Sequence, residues 1–213
     1  VTSPEEQLAE QLHYYRRRAA EYDVTSFGVR TGERITVPIV AERLDVPGDV
    51  LELACGTGMW TAELARHASS LTALDGAPEM LELARKRVAD SDVTFVLADL
   101  FEWEPDREYD VVFSAFFISH IPPERFADFW SLVARALRPG GRAVMIDELP
   151  ARAHLEQVHD GHLATRTLSD GSRHQIIKIF YEPEQLVARL DDLGWTAMVT
   201  EIEHGWFVLE AAR

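Results

Sequence analysis

A single cysteine, Cys55, stands in the 213 residues, so no intramolecular disulfide can form. No run approaches the ~18 consecutive apolar residues that a membrane-spanning helix needs, and the first residues lack the apolar core of a secretory signal. A cytoplasmic location, with no membrane partner, is the expectation that rests on those absences. Basic side chains are scarce too, since 21 Lys and Arg oppose 36 Asp and Glu for a net charge of −15. Neutralising a phosphate backbone takes a basic patch or stripe, so a nucleic acid is not the expected partner. His154, His159 and His162 lie close together, but their spacing is not that of a metal motif such as H-E-x-x-H, and no metal is expected. Neither an internal repeat nor a low-complexity tract is present. What remains is 46% hydrophobic and 27% charged, over a length that suits one domain, 1–213, with a substantial core.

From residue 49 onward, apolar runs of strand length alternate with segments of helical spacing. Residues 50–54, 71–74, 93–97, 110–115 and 142–146 read as strands. Residues 59–65, 78–89 and 123–137 read as helices, the last closed by the turn Arg138-Pro139-Gly140-Gly141. This alternation predicts a doubly wound α/β fold with a mainly parallel sheet. Ahead of it, Ser3-Pro4-Glu5-Glu6 has the signature of a capping box and opens a helix to about residue 21. A loop over 24–32 and a second helix over 33–44 complete an N-terminal helical lid, 1–45. The rhythm breaks at 150–181, where segments 162–168 and 173–180, joined by Ser169-Asp170-Gly171-Ser172, predict a β-hairpin inserted after the fifth strand. A helix over 184–193 and an antiparallel pair, 195–203 with 206–210, end the chain.

The most informative stretch is the first of these strands with its turn. Val50-Leu51-Glu52-Leu53-Ala54 enters a helix through Cys55-Gly56-Thr57-Gly58, which brings bare backbone and a helix N-terminus against a ligand. Seventeen residues past Gly58, the next strand ends in Asp75, placed to accept hydrogen bonds from both hydroxyls of a ribose. Two ligand classes use such a site. A dinucleotide wants G-x-G-x-x-G, and here the third position is Thr61. Glu52 argues further against a diphosphate, because an anion near the turn suits a cationic ligand better.

Strand, glycine turn, helix, strand and acid, in that order, resemble the first motif and ribose-binding acid of class I S-adenosylmethionine (SAM)-dependent methyltransferases of the small-molecule type. The resemblance covers roughly residues 50–213 and implies a Rossmann-like, seven-stranded sheet whose last strand is antiparallel. It implies SAM as cofactor, with S-adenosylhomocysteine (SAH) as product, held by Glu52, Ala54, Gly56, Gly58, Asp75, Gly76, Met80, Asp99, Leu100 and Ser114. In it Asp99 and the Leu100 backbone meet the adenine, Met80 packs near the ring, and Glu52 lies near the methionyl amine. The segment from Tyr14 to Asp23 resembles the N-terminal part of such enzymes, where aromatic residues close over the cofactor, and marks Tyr14 and Tyr22.

The implied reaction is methyl transfer to an oxygen or nitrogen of a small metabolite. His120, in the loop after the fourth strand, is placed to take the acceptor's proton, and capping that loop is its alternative use. Alignment alone could also supply most of the rate, with no base. Phe117, Lys178 and Tyr181 are the acceptor-side residues singled out. Lys178 stands in a strand apolar on both sides, where it either snorkels to water or meets an anionic acceptor. An NAD-dependent oxidoreductase, a non-catalytic SAM-binding protein and other SAM chemistry are the rival readings. The oligomeric state, monomer or homodimer, stays open.

Overall fold

The computed structural model describes residues 2–26, 46–202 and 205–213. The first helix, α1 (Pro4–Arg18), starts where the Ser3 hydroxyl accepts the Glu6 N–H at 3.2 Å and the Glu6 carboxylate accepts the Ser3 N–H at 2.8 Å. Two otherwise orphaned donors are thereby satisfied, as the sequence predicts. Three arginines end α1 at the negative pole of the helix dipole. A 3-10 turn, Ala19–Glu21, then leads into α2 (Tyr22–Ser26), so the chain is helical at 24–26, where a loop was expected. The rest of that loop and the helix expected over 33–44 lie outside the described residues.

The chain continues as β1 (Asp49–Leu53), α3 (Met59–Leu64), β2 (Ser70–Asp75), α4 (Pro78–Arg87), β3 (Val93–Leu97) and β4 (Tyr109–Ala115). Next come α5 (Phe126–Ala136), β5 (Leu137–Glu148) and the short strands β6 (Val158–His159), β7 (Leu163–Thr167) and β8 (Arg173–Ile177). The chain ends with α6 (Pro183–Asp192), β9 (Thr196–Ile202) and β10 (Trp206–Ala212). The main sheet has seven strands in the order β3-β2-β1-β4-β5-β10-β9, with β10 antiparallel to both of its neighbours.

Alternate residues of the central strands feed two cores. Leu51, Leu53, Val112 and Met145 pack with Phe129, Trp130 and Val133 of α5 and with Leu186 and Leu190 of α6. Val50, Val111, Phe113, Val144 and Ile146 pack with Trp60 and Leu64 of α3. Both faces are thus covered, which is why these strands read as continuous apolar runs rather than alternating ones.

Two local expectations change. The turn Arg138-Pro139-Gly140-Gly141 falls inside β5, because Tyr109 pairs with Leu137 and Val111 already with Arg142, so the residues between bulge out. The inserted hairpin forms as β7 paired antiparallel with β8, and the short β6 extends it to a three-stranded sheet, β6-β7-β8. Its last strand stops at Ile177, since the Ile179 N–H leaves it for the carbonyl of Ser119 at 2.8 Å. Among the described residues no helix is long and apolar enough to cross a membrane.

Candidate functional site

The carboxyl ends of β1, β2 and β4 open into a cavity of about 320 Å³, roofed by α1 through Glu5, Leu8, Leu12 and Tyr15. The edge of a doubly wound sheet is where ligands bind. Strand ends turn away sharply here. Ala54 and Phe116, which follow β1 and β4, both hold φ at 55°, a left-handed backbone unusual for side chains with a Cβ, and both line the cavity. Gly56, also at φ 55°, meets no atom within 4 Å of where a Cβ would stand, so its backbone faces open space. Gly76 is bare for the opposite reason, since a Cβ there would press on Leu12 of α1 at 3.3 Å.

Asp75 anchors this edge. Its Oδ2 accepts the Gly56 N–H and its Oδ1 the Ala77 N–H, each at 2.8 Å. Burial pushes the carboxyl up to about 6 against those hydrogen bonds, so it is charged at neutral pH and still has lone pairs to offer. Met80 and Leu100 supply apolar walls, and Asp99 stands at the rim with its Oδ1 tied to the Phe101 N–H at 2.9 Å. An acid for vicinal hydroxyls, apolar walls for a flat ring and an acid at the ring's edge fit an adenosine moiety. Tyr22, Phe117 and His120 line the same cavity.

Other singled-out residues lie elsewhere, for identifiable reasons. Tyr14 is 2% exposed and packs on Ala164, Leu168 and Ile176 of the inserted sheet; one residue along the helix, Tyr15 takes the cavity face. The spacing Leu8, Leu12, Tyr15 carried that signal. Gly58 caps α3 at φ 80°, and a Cβ there would meet the Ala84 Cα at 2.9 Å, so it serves the close approach of α3 to α4. Ser114 is buried and its hydroxyl donates to the Leu53 carbonyl at 3.0 Å, tying β4 to β1. Tyr181 lies in the core against Phe126, with ring centroids 5.9 Å apart. Lys178 neither snorkels nor lines the cavity: it is 2% exposed, with Nζ 2.7 Å from Glu148, 3.7 Å from Asp147 and 3.1 Å from the Ser119 hydroxyl. Arg125, Phe101 and Gln11, all at the cavity, carried no motif of their own.

Glu52 lies beneath the glycine turn rather than in the cavity, 2% exposed, accepting the Thr61 hydroxyl at 2.6 Å. Thr61 thus closes α3 on β1 through a hydrogen bond where a dinucleotide site would use a small residue. Burial pushes the Glu52 carboxyl up to about 8, so it is largely uncharged at neutral pH. The unfolded chain gives up this proton near 4.5 and the folded chain only near 8, so its contribution to stability is complete below 4.5 and is lost as pH rises through 8. Glu52→Gln removes the titration. Urea melts should show the variant gaining on the parent by at least about 1 kcal/mol between pH 5 and pH 9, one pKa unit being worth ~1.4 kcal/mol. An equal difference at both pH values would mean that Glu52 titrates normally.

The loop after β4 brings His120 against α1. Its Nδ1 lies 2.5 Å from the Ile177 carbonyl oxygen and its Nε2 3.2 Å from the Tyr15 hydroxyl. Burial first, then the positive charges of Lys178 and Arg166, hold the ring well below the usual imidazole range, so it is neutral. Lids from both sides meet here: Gln11 of α1 donates to the His120 carbonyl at 2.9 Å and accepts the Ile177 N–H at 3.0 Å. From α2, Asp23 accepts the Thr57 hydroxyl of the glycine turn at 2.6 Å and pairs with Arg87.

Comparison with known proteins agrees with this geometry. Residues 50–141 match the family described as a methyltransferase domain. A ubiquinone biosynthesis O-methyltransferase of Xanthomonas oryzae pv. oryzae (strain PXO99A) is 30% identical over 164 residues, covering 73% of this chain and 66% of its own length. A demethylmenaquinone methyltransferase of Tropheryma whipplei (strain Twist) is 26% identical over 159 residues, covering 69% of this chain and likewise 66% of its own. The chain therefore spans about two thirds of these relatives. Among solved structures, a DhpI–SAH complex is 39% identical with a TM-score of 0.85, covering 99% of this chain and 98% of that one. A DhpI–SAM–HEP complex is 38% identical with a TM-score of 0.87, over the whole of both chains.

Proposed function

Because the chain belongs to the class I SAM-dependent methyltransferases, we propose that it methylates an oxygen or nitrogen of a small-molecule metabolite. The observation that carries this reading is the cavity at the sheet edge, where Asp75, Gly56 and Asp99 converge beneath a roof of α1. SAM supplies a methyl group on a sulfonium that leaves as neutral SAH. The residues proposed to hold it are Ala54, Gly56, Asp75, Gly76, Met80, Asp99 and Leu100, with Tyr22 at the lid.

The acceptor side is the part of the cavity lined by Phe116, Phe117, Tyr15 and His120. Aromatic rings there favour a planar or apolar acceptor, and exclusion of water by α1 would protect the bound pair. His120, neutral and lining the cavity, is the proposed final receiver of the acceptor's proton. The ubiquinone biosynthesis O-methyltransferase among the relatives supports oxygen as the receiving atom.

Thermal unfolding with separate ligands tests the cofactor. SAH and SAM should each raise the midpoint and NADH should not, since a ligand that binds the folded state stabilises it by mass action. A rise with NADH alone would overturn the reading.

A further inference from the structure

The hydrogen bonds of His120 assign both ring nitrogens. A carbonyl oxygen only accepts, so Nδ1 carries the proton it donates to Ile177, and Nε2 presents its lone pair. That lone pair receives the Tyr15 O–H at 3.2 Å. Ring orientation is fixed further by Gln11, one helical turn before Tyr15 on α1, which bridges the His120 carbonyl and the Ile177 N–H. The position an imidazole base would offer to a substrate is therefore already taken. It is taken by a phenol that lines the cavity and whose oxygen keeps lone pairs of its own.

We propose that Tyr15, rather than His120, is the side chain that meets the acceptor's O–H or N–H, and that it passes the proton on to His120. The proposal rests on the methyltransferase reading and deepens it. As the acceptor's electron pair bonds to the methyl carbon, the carbon–sulfur pair stays on sulfur. The acceptor proton goes to the Tyr15 Oη and the Tyr15 proton to His120 Nε2, and once product has left the imidazolium returns a proton through the Tyr15 Oη to water entering the cavity.

The surroundings suit a concerted rather than a stepwise relay. Burial holds the Tyr15 phenol above its usual range, outweighing the pull of Arg166 and Arg18, so a free phenolate is disfavoured. Burial first, then Lys178 and the same Arg166, keep His120 neutral, with the Nε2 lone pair in place to receive. Tyr15 is thus a catalytic residue in contact with the acceptor, and His120 acts through it.

Long-range ¹H–¹⁵N spectra of the full chain labelled with [¹⁵N]histidine, free of ligand, give the first test. The His120 Nδ1 should resonate as a protonated nitrogen and Nε2 as a hydrogen-bonded acceptor. Tyr15→Phe should move Nε2 and leave Nδ1 in place. An Nε2 resonance unmoved by Tyr15→Phe overturns the pair.

Single-turnover methylation then tests the role, with a catechol, a hydroxybenzoate and a primary amine as acceptor probes. Tyr15→Phe, His120→Gln and the double variant should each lose a similar ~10²–10⁴-fold in rate, while SAH affinity stays within about threefold. Equal losses are the signature of groups acting as one unit. A wild-type rate in Tyr15→Phe, or a double loss equal to the product of the single ones, overturns the relay. A protein that binds SAH yet methylates none of the probes counts against the acceptor assignment, and the nitrogen resonances still decide the Tyr15–His120 pair.

Discussion

Asp75→Ala is expected to weaken SAH binding at least a hundredfold in isothermal titration, the largest loss of any single change at the cofactor cradle. The proposed partners are two ribose hydroxyls donating to one carboxylate, and a hydrogen bond to a charged group is worth roughly 1.5–3 kcal/mol. Asp75 is already committed to the Gly56 and Ala77 N–H groups, so alanine also frees the backbone of the glycine turn. Asp75→Asn separates the two effects. Its amide oxygen can still accept one of those N–H groups, so the turn should persist while affinity falls by about tenfold or more. Protonation should imitate the amide. With the Asp75 carboxyl pushed up to about 6 by burial, a bound ligand that prefers the carboxylate must compete with the proton, and affinity should fall as pH drops through 6. SAH affinity unchanged in both variants would mean that the ribose does not sit at Asp75.

The cradle was legible in the sequence because each part of it is local. Asp75 and Asp99 close or follow apolar runs of strand length, and Gly56 follows another, so the parallel fold alone carries them to one edge. The roof was harder to read. Tyr14 and Tyr15 are equally aromatic neighbours, and which of them faces the cavity depends on where α1 docks. That docking is set by distant partners, among them Ile177 and His120 for Gln11 and His174 for Glu10, whose carboxylate lies 3.0 Å from the His174 ring. Glu52 was visible as an acid inside an apolar strand, but its charge state depends on how completely α3 covers it. Lys178 reads from the sequence as snorkelling to water or meeting an anionic acceptor because its carboxylates lie some thirty positions earlier, at the end of β5.

That burial makes Lys178→Met the change with the greatest expected cost to stability. The ammonium is held by Glu148, Asp147 and Ser119, and it joins the chain after β8 to the end of β5. Asp147 in turn accepts the Ser119 N–H at 3.0 Å and the Glu148 N–H at 2.8 Å, which ties the same cluster to the loop that carries His120. Burial pushes the Asp147 carboxyl up, with Lys178 opposing. For Glu148 burial also pushes upward, but the charges of Lys178 and Arg152 outweigh it and hold the group below its usual range. Removing one partner of a buried pair leaves the other uncompensated, which costs ~3–5 kcal/mol. In a chain of this length that is a fall in melting midpoint on the order of 10 °C. Lys178→Met combined with Glu148→Gln should recover part of the loss, because the stranded carboxylate is then neutral. If Lys178 instead served mainly to meet an acceptor, Lys178→Met would keep its stability and lose methylation. A midpoint within about 2 °C of the parent would decide for that role and against the strut.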